Sequence, residues 1–262
     1  MMKGREEKIV FFDIDGTLYD HNKMIPGSTV AAINELKRNG VHVAIATGRA
    51  PFMYKGLRDE LGIDTYISFN GSYVIFNNDV IFKSPLETDK LKVLEKDALA
   101  NEHPMIFLDD NNHYSNYKEH PYIHECISSL KLHLPDYNPG FYHSQEVYQA
   151  LIFCEDHHEE MYMHGHDHFD YVRWHRYSID VLPNGGSKAK GIEILLKQMD
   201  IPVENAYAFG DGLNDKEMLS YVGTGVAMGN GHEEVKDVAN IVTNHVDDDG
   251  ILVGLKKVGL LR

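Results

Sequence analysis

Cysteine is nearly absent from this chain of 262 residues: Cys126 and Cys154 are the two, and they form no CxxC pair. A disulfide scaffold and a Cys-based zinc ribbon are excluded, and both thiols are expected to be buried and reduced. Long hydrophobic runs are missing as well. No stretch approaches the roughly 20 apolar residues that cross a bilayer, and the opening MMKGREEKIVFF has too short an apolar run for a signal peptide. A cytoplasmic location is therefore expected. Positive charge is in deficit, with 25 Lys and Arg against 40 Asp and Glu and a formal net charge of −15. Such a surface repels DNA, RNA and anionic membranes, so neither nucleic acid nor membrane is expected as a partner. An anionic substrate would need a local positive site. Repeats, low-complexity tracts and heptad runs are absent too. What remains is a globular chain long enough for one large core, or for a core plus a smaller lobe.

Against that background the segment KIVFFDIDGTLYD, from Lys8 to Asp20, stands out. The run Ile9 to Phe12 is continuously apolar, as in a parallel strand covered on both faces, and it ends in two carboxylates one residue apart, Asp13 and Asp15. Open α/β sheets bind ligands at that edge. A helix near Gly27 to Asn39 follows, with Val30, Ile33 and Leu36 at helical spacing and Gly40 as its stop, and then a strand near Val41 to Ala46. This is a βαβ unit and predicts a parallel sheet. A helix after Pro51, a strand over Thr65 to Phe69 before Asn70-Gly71, and a hairpin ending near Phe82 complete the first stretch.

Between Glu102 and His143 the pattern turns irregular, and alternation resumes only at Lys188, with a helix near Ser187 to Gln198, a strand over Ala206 to Phe209, the turn GDGLND and a strand over Gly223 to Ala227. Helices near His232 to Val238 and Gly250 to Val258 end the chain. From Asp13 to Thr47 is 34 positions, one βαβ unit, whereas Thr47 to Lys188 spans 141. The excess leaves room for an inserted lobe on the order of 100 residues. We place the core at 1–83 plus 184–262 and the lobe at 84–183. The lobe is expected to be mixed α/β, with a helix near Glu87 to Ala100, strands near Met105 to Leu108 and Ala150 to Cys154, and a hairpin in FDYVRWHRYSIDVL.

Four polar signals border core elements: Asp13 and Asp15, then Thr47-Gly48-Arg49, then Lys188, then Asp211, Asn214 and Asp215. Each alone could be a turn, a cap or a surface amine. Parallel topology, however, brings all four to one edge. In this order the chain resembles a phosphatase of the haloacid dehalogenase (HAD) superfamily, of the Cof-type branch whose cap is inserted between motifs two and three. The first motif DxDGT matches Asp13 to Thr17, the second Thr47, the third Lys188 in SKAKG and the fourth, GDxxND, Gly210 to Asp215. Asn70-Gly71 also fits the branch.

The resemblance implies an α/β fold with a Rossmann-like parallel-sheet core and an inserted α/β cap. It implies a Mg²⁺-dependent phosphatase acting on a small phosphorylated metabolite, a sugar phosphate or a phosphorylated cofactor. Asp13 would be the nucleophile that forms an aspartyl-phosphate, and Asp15 the acid and base. The metal would take the Asp13 and Asp211 carboxylates and the Asp15 carbonyl, with Asp215 orienting its waters. Phosphate would meet Thr47, the amides of Gly48 and Ile14, and Lys188, with Asn214 steadying the phosphate or that lysine. The all-oxygen donor set suits Mg²⁺ rather than zinc. A phosphomutase would use the same intermediate, and a non-catalytic relative would be expected to have lost Asp13 or Asp15.

One string points elsewhere: His164-Gly165-His166-Asp167-His168 has the HxHxDH form of binuclear metallo-β-lactamase-like hydrolases. It lies late in the chain, inside the insertion, with only His175, His232 and His245 downstream as partners. A solvated helix-to-strand loop is the expected reading. In the last lobe segment Arg173, Trp174, His175 and Arg176 cluster; Arg173 is read as a contact for the leaving group and Trp174 as packed into the lobe.

Overall fold

The computed structural model describes residues 7–262; the first six, placed in the core on sequence grounds, lie outside the described residues. In chain order the elements are β1 (Ile9–Phe12), α1 (Gly27–Arg38), β2 (His42–Ala46), α2 (Lys55–Leu61), β3 (Tyr66–Ser68), β4 (Tyr73–Phe76) and β5 (Asp79–Lys83). Then come α3 (Thr88–Ala100), β6 (Met105–Leu108), β7 (His113–Ser115), α4 (Pro121–Ser129), β8 (Asp136–Tyr137), β9 (Gln149–Ile152), α5 (Glu159–Gly165), β10 (Phe169–His175) and β11 (Ser178–Pro183). The chain ends with α6 (Lys188–Met199), β12 (Ala206–Gly210), α7 (Lys216–Tyr221), β13 (Thr224–Ala227), α8 (Glu233–Lys236), β14 (Ile241–Val242) and α9 (Gly250–Lys257). Two compact units result. One runs up to Gly48, from Lys55 to Phe82 and from Ser187 to Arg262; the other comprises Arg49–Tyr54 and Lys83–Gly186.

In the first unit an eight-stranded sheet has the order β14-β13-β12-β1-β2-β3-β4-β5. β1 pairs in parallel with β12 on one side and β2 on the other. All four β1 side chains are fully buried, each contributing about 1.5–3 kcal/mol through removal from water. That burial on both faces is why the run is apolar without alternation. From β1 the chain builds β2 and β3 on one side and later returns to build β12, β13 and β14 on the other. The carboxyl end of β1 is thus a topological switch point, where the connections diverge and leave a crevice. Beyond β3 the sheet turns antiparallel. Asn77 and Asn78, both at positive φ, make the tight β4–β5 turn. The parallel α/β core predicted from the alternation is present.

The second unit holds a six-stranded sheet of order β10-β11-β9-β6-β7-β8. Met105, Phe107, Ala150, Ile152, Ile179 and Val181, alternate residues of β6, β9 and β11, share one apolar cluster with Leu91, Leu94 and Ala98 of α3. The stretch that looked irregular contains α4, whose start had a readable signal: Pro121 at the first turn, with the His120 side chain accepting from the Tyr122 amide at 3.2 Å.

Two lobe expectations need correction. The His-rich string does join a helix to a strand, but it is not solvated throughout: His166 is buried, its Nε2 3.0 Å from the Asp97 carboxylate. Among the described residues, neither His/Cys/Asp/Glu group close enough to hold a metal includes any residue of the string. Arg173 is occupied within the lobe. Its Nε donates to Glu159 at 2.5 Å and its Nη1 to the carbonyls of Cys154, His175 and Arg176 at 3.1–3.3 Å, so it braces β10 against α5 and the end of β9. Trp174 is half-buried, and both cysteines are free and buried.

Candidate active site

Where β1 ends, the ladder continues for one more bond, Asp13 N–H to the Phe209 carbonyl at 3.0 Å. The chain then folds over itself: the Ile14 carbonyl accepts from the amides of Thr17 and Tyr19, the Asp13 carbonyl from Leu18, and the Tyr19 carbonyl from Gly16. Asp13 and Asp15 therefore leave the same tight turn. Gly16 makes the turn possible, with φ +78°, and it also admits a neighbour. A Cβ built there would lie 2.1 Å from Asp211 Oδ2. The buried Thr17 hydroxyl donates to Asp211 Oδ1 at 2.8 Å, so the first motif grips the fourth from two directions.

Lys188 opens α6 behind the cap residue Ser187 and is completely buried. Its Nζ donates to Asp13 Oδ1 at 2.6 Å and to Asp215 Oδ1 at 2.5 Å. Burial alone would strip the proton from such an amine. The two carboxylates outweigh it and hold the lysine pKa above its ordinary value. Asp215 uses its other oxygen to accept the amides of Asp211 and Gly212, both at 2.9 Å. With both oxygens committed, Asp215 fixes Lys188 and the GDGLND turn.

Asp211 differs. Among the described residues it receives only neutral donors, Thr17 and, at 3.3 Å, the Asn230 amide. Asn230 also donates to the Gly16 carbonyl at 2.8 Å and accepts from the Val246 amide at 2.9 Å, tying three loops together. Nothing in the string GNGH distinguished Asn230 from an ordinary turn asparagine.

Thr47 and Gly48 lie where β2 ends. The Thr47 amide donates to Ile67 and its carbonyl accepts from Asn70. Asn70, at φ 51°, takes a hydrogen bond from Asn214 at 2.9 Å, and its side-chain amide sits about where a Cβ on Gly48 would crowd it. The Asn214 amide thus goes to Asn70 rather than to Lys188. Asn70-Gly71, which fits the Cof-type branch but by itself signals only a turn, does more here: the asparagine links the second motif to the fourth.

Carboxylate oxygens of Asp13, Asp211 and Asp215 come within 4.8 Å of one another. Adding Asp15, whose carboxylate pairs with the Lys23 ammonium, the described residues of this unit bring four carboxylates and two ammonium groups together, an excess of acid. The donors are all oxygen. Both facts fit a hard divalent cation. Burial, reinforced by Asp215, Asp211 and Asp15 and opposed by Lys188, drives the Asp13 pKa well up. Burial likewise pushes Asp211 up to about 6.

That shift makes a prediction. A carboxyl whose folded-state pKa is raised contributes stability below its ordinary range near 3.8 and loses it as pH rises through about 6, here at most about 3 kcal/mol for Asp211. A divalent cation removes the penalty where it is largest. Saturating MgCl₂ should therefore raise Tm more near pH 7.5 than near pH 5, with protons released on binding. Equal Mg²⁺ shifts at the two pH values would refute the idea that these acids form the metal site.

The family model of the haloacid dehalogenase-like hydrolases matches residues 10–255. The chain belongs to the haloacid dehalogenase-like hydrolases. It is 47% identical over 257 residues to YkrA of Bacillus subtilis (strain 168), which carries a phosphatase name; the match covers 98% of this chain and 100% of YkrA. Pyridoxal phosphate phosphatase YbhA of Escherichia coli (strain K12) is 30% identical over 268 residues, covering 93% of this chain and 96% of its own. A solved structure of a hypothetical protein from Geobacillus kaustophilus HTA426 superposes with TM-score 0.94 at 52% identity, over 97% of this chain and 100% of that one. This haloacid dehalogenase-like hydrolase is thus a phosphatase of the superfamily. No helix among its described residues is long and apolar enough to cross a membrane.

Proposed function

We propose that the enzyme is a Mg²⁺-dependent phosphatase that hydrolyses small phosphomonoesters, phosphorylated cofactors or sugar phosphates, through an aspartyl-phosphate on Asp13. The observation that carries this reading is the buried Lys188 ammonium, 2.6 Å from Asp13 and 2.5 Å from Asp215. It aims the Asp13 carboxylate while Asp211, among the described residues, accepts from the Thr17 hydroxyl and the Asn230 amide rather than from an ammonium. A phosphomonoester resists attack because its own oxygens repel a nucleophile. The Asp13 and Asp211 carboxylates and the Asp15 carbonyl would hold Mg²⁺, which would supply the positive charge that offsets those oxygens, and Asp215 would orient its waters.

The residues do the rest. An Asp13 oxygen attacks phosphorus as the bond to the ester oxygen breaks, and Asp15 gives that oxygen its proton. Water then attacks the phosphorus of the acyl phosphate, Asp15 takes the water's proton, and Asp13 leaves as a carboxylate. Lys188, the Thr47 hydroxyl and the Gly48 and Ile14 amides receive the phosphoryl oxygens, and Asn214, through Asn70, steadies the loop around them. The segment 84–183 is read as the cap that selects the leaving group, and the charge of −15 with two free thiols suits a reducing, cytoplasmic setting. YbhA, by its name a pyridoxal phosphate phosphatase, supports a phosphorylated cofactor as one substrate class. The test is a phosphate-release screen over small phosphomonoesters with MgCl₂, ranked by kcat/KM. Release from several of them, abolished by chelation and restored by Mg²⁺, is expected; no release from any, or restoration by Zn²⁺ alone, overturns the reading.

A further inference from the structure

Just past the first motif the chain makes a second tight loop whose purpose the reaction has not yet used. Asp20 Oδ1 accepts the amides of Asn22 and Met24, both at 2.8 Å, while the Asp20 amide donates to the Met24 carbonyl and the Lys23 amide to the Asp20 carbonyl. At its tip Lys23 adopts φ +59°. This is the left-handed region, which glycine or asparagine enters readily and a long side chain does not. The result of that strained backbone is specific: the Lys23 ammonium lands on Asp15 Oδ1. Loop closure does not require it, since the Asp20 carboxylate already fastens both arms. Stability does not explain it either, because the Asp15 side chain is 40% and the Lys23 side chain 31% exposed. Ion pairs so open to water add little. Strain held at a reactive group without a stability return points to function.

We propose that Lys23 is a positioning residue, holding the Asp15 carboxyl in the orientation from which it hands its proton to the leaving oxygen. This rests on the reading of Asp15 as the acid. The division of labour is then symmetrical: Lys188 aims the nucleophile and Lys23 aims the acid. No atom of Lys23 enters the reaction; the proton passes from Asp15 to the ester oxygen as the P–O bond breaks.

Leaving-group dependence separates aiming from mere loop ordering. An alkoxide must be protonated as it departs, whereas p-nitrophenolate leaves unaided. The parameter to follow is kcat/KM, which reports the steps through formation of the aspartyl-phosphate. For Lys23→Met, kcat/KM with alkyl esters (glycerol phosphate, pyridoxal phosphate) should fall roughly 10- to 100-fold, part of the 10²–10⁴ that a general acid supplies. With p-nitrophenyl phosphate it should fall by a much smaller factor, and Lys23→Arg should restore most of the alkyl-ester activity. An equal fall for both ester types, or no fall for either, overturns the proposal. Asp15→Asn in parallel tests the underlying reading. If it hydrolyses alkyl esters like the wild type, the acid is not Asp15; if it shows the selective loss and Lys23→Met does not, only the role of Lys23 fails.

Discussion

Asp13→Asn should lower turnover by at least roughly 10⁴-fold, equivalent to about 5.4 kcal/mol of transition-state stabilisation, while leaving the protein folded. An amide has no carboxylate to attack phosphorus, and Asp215, committed to Lys188, cannot take its place. The fold should tolerate the change for a reason visible in the site. In the metal-free enzyme burial already disfavours a charged Asp13, and asparagine has the same shape without the charge, while Lys188 keeps Asp215 as a partner. Metal-free Tm should therefore move by only a few degrees while the Mg²⁺-induced rise shrinks. Quenching turnover in acid gives a second reading. Wild type should yield a hydroxylamine-labile phosphoryl group on the peptide containing residue 13, Asp13→Asn none, and Asp15→Asn an accumulated one with p-nitrophenyl phosphate, because the acyl phosphate forms but its water is not activated. Near-wild-type turnover of Asp13→Asn at saturating substrate would end the assignment of the nucleophile.

What the sequence made legible follows from what is local. β1, α1 and β2 were readable because a doubly covered strand must be apolar throughout and an amphipathic helix must repeat. Once β1, β2 and β12 are parallel, their polar ends must gather at one edge, which is why Asp13, Thr47 and Asp211 could be expected together. Pairings set by three-dimensional packing were not legible. Thr17 meets Asp211 across 194 positions and Asn230 meets Gly16 across 214; no period or spacing encodes either. Nothing in the sequence singled out Lys23, whose contact with Asp15 is made from a left-handed backbone that no pattern of residues announces. The second unit was harder for a related reason. Its short antiparallel strands leave weak alternation, and Arg173, whose neighbourhood in sequence suggests a ligand contact, instead ties elements of the lobe together.

The sharpest separation of structural from catalytic roles comes from Lys188→Met. Methionine matches the length of the buried side chain but leaves Asp13 and Asp215 facing each other with no cation between them. Breaking a buried pair in this way costs about 3–5 kcal/mol, a fall in Tm on the order of 10 °C for a protein of this size. Protonation of Asp13, whose pKa already lies high, relieves the repulsion, so the loss of stability should be smaller near pH 5 than near pH 7.5. Mg²⁺ should relieve it too, by bringing positive charge to Asp13 and Asp211. Turnover should not follow. The cation at the metal does not replace an ammonium that both aims the Asp13 oxygen and receives a phosphoryl oxygen, and we expect a loss of at least about 10³-fold even with the metal saturating. Stability restored by Mg²⁺ with activity still absent would assign Lys188 a role in the chemistry. Recovery of both together would reduce it to a structural counter-charge.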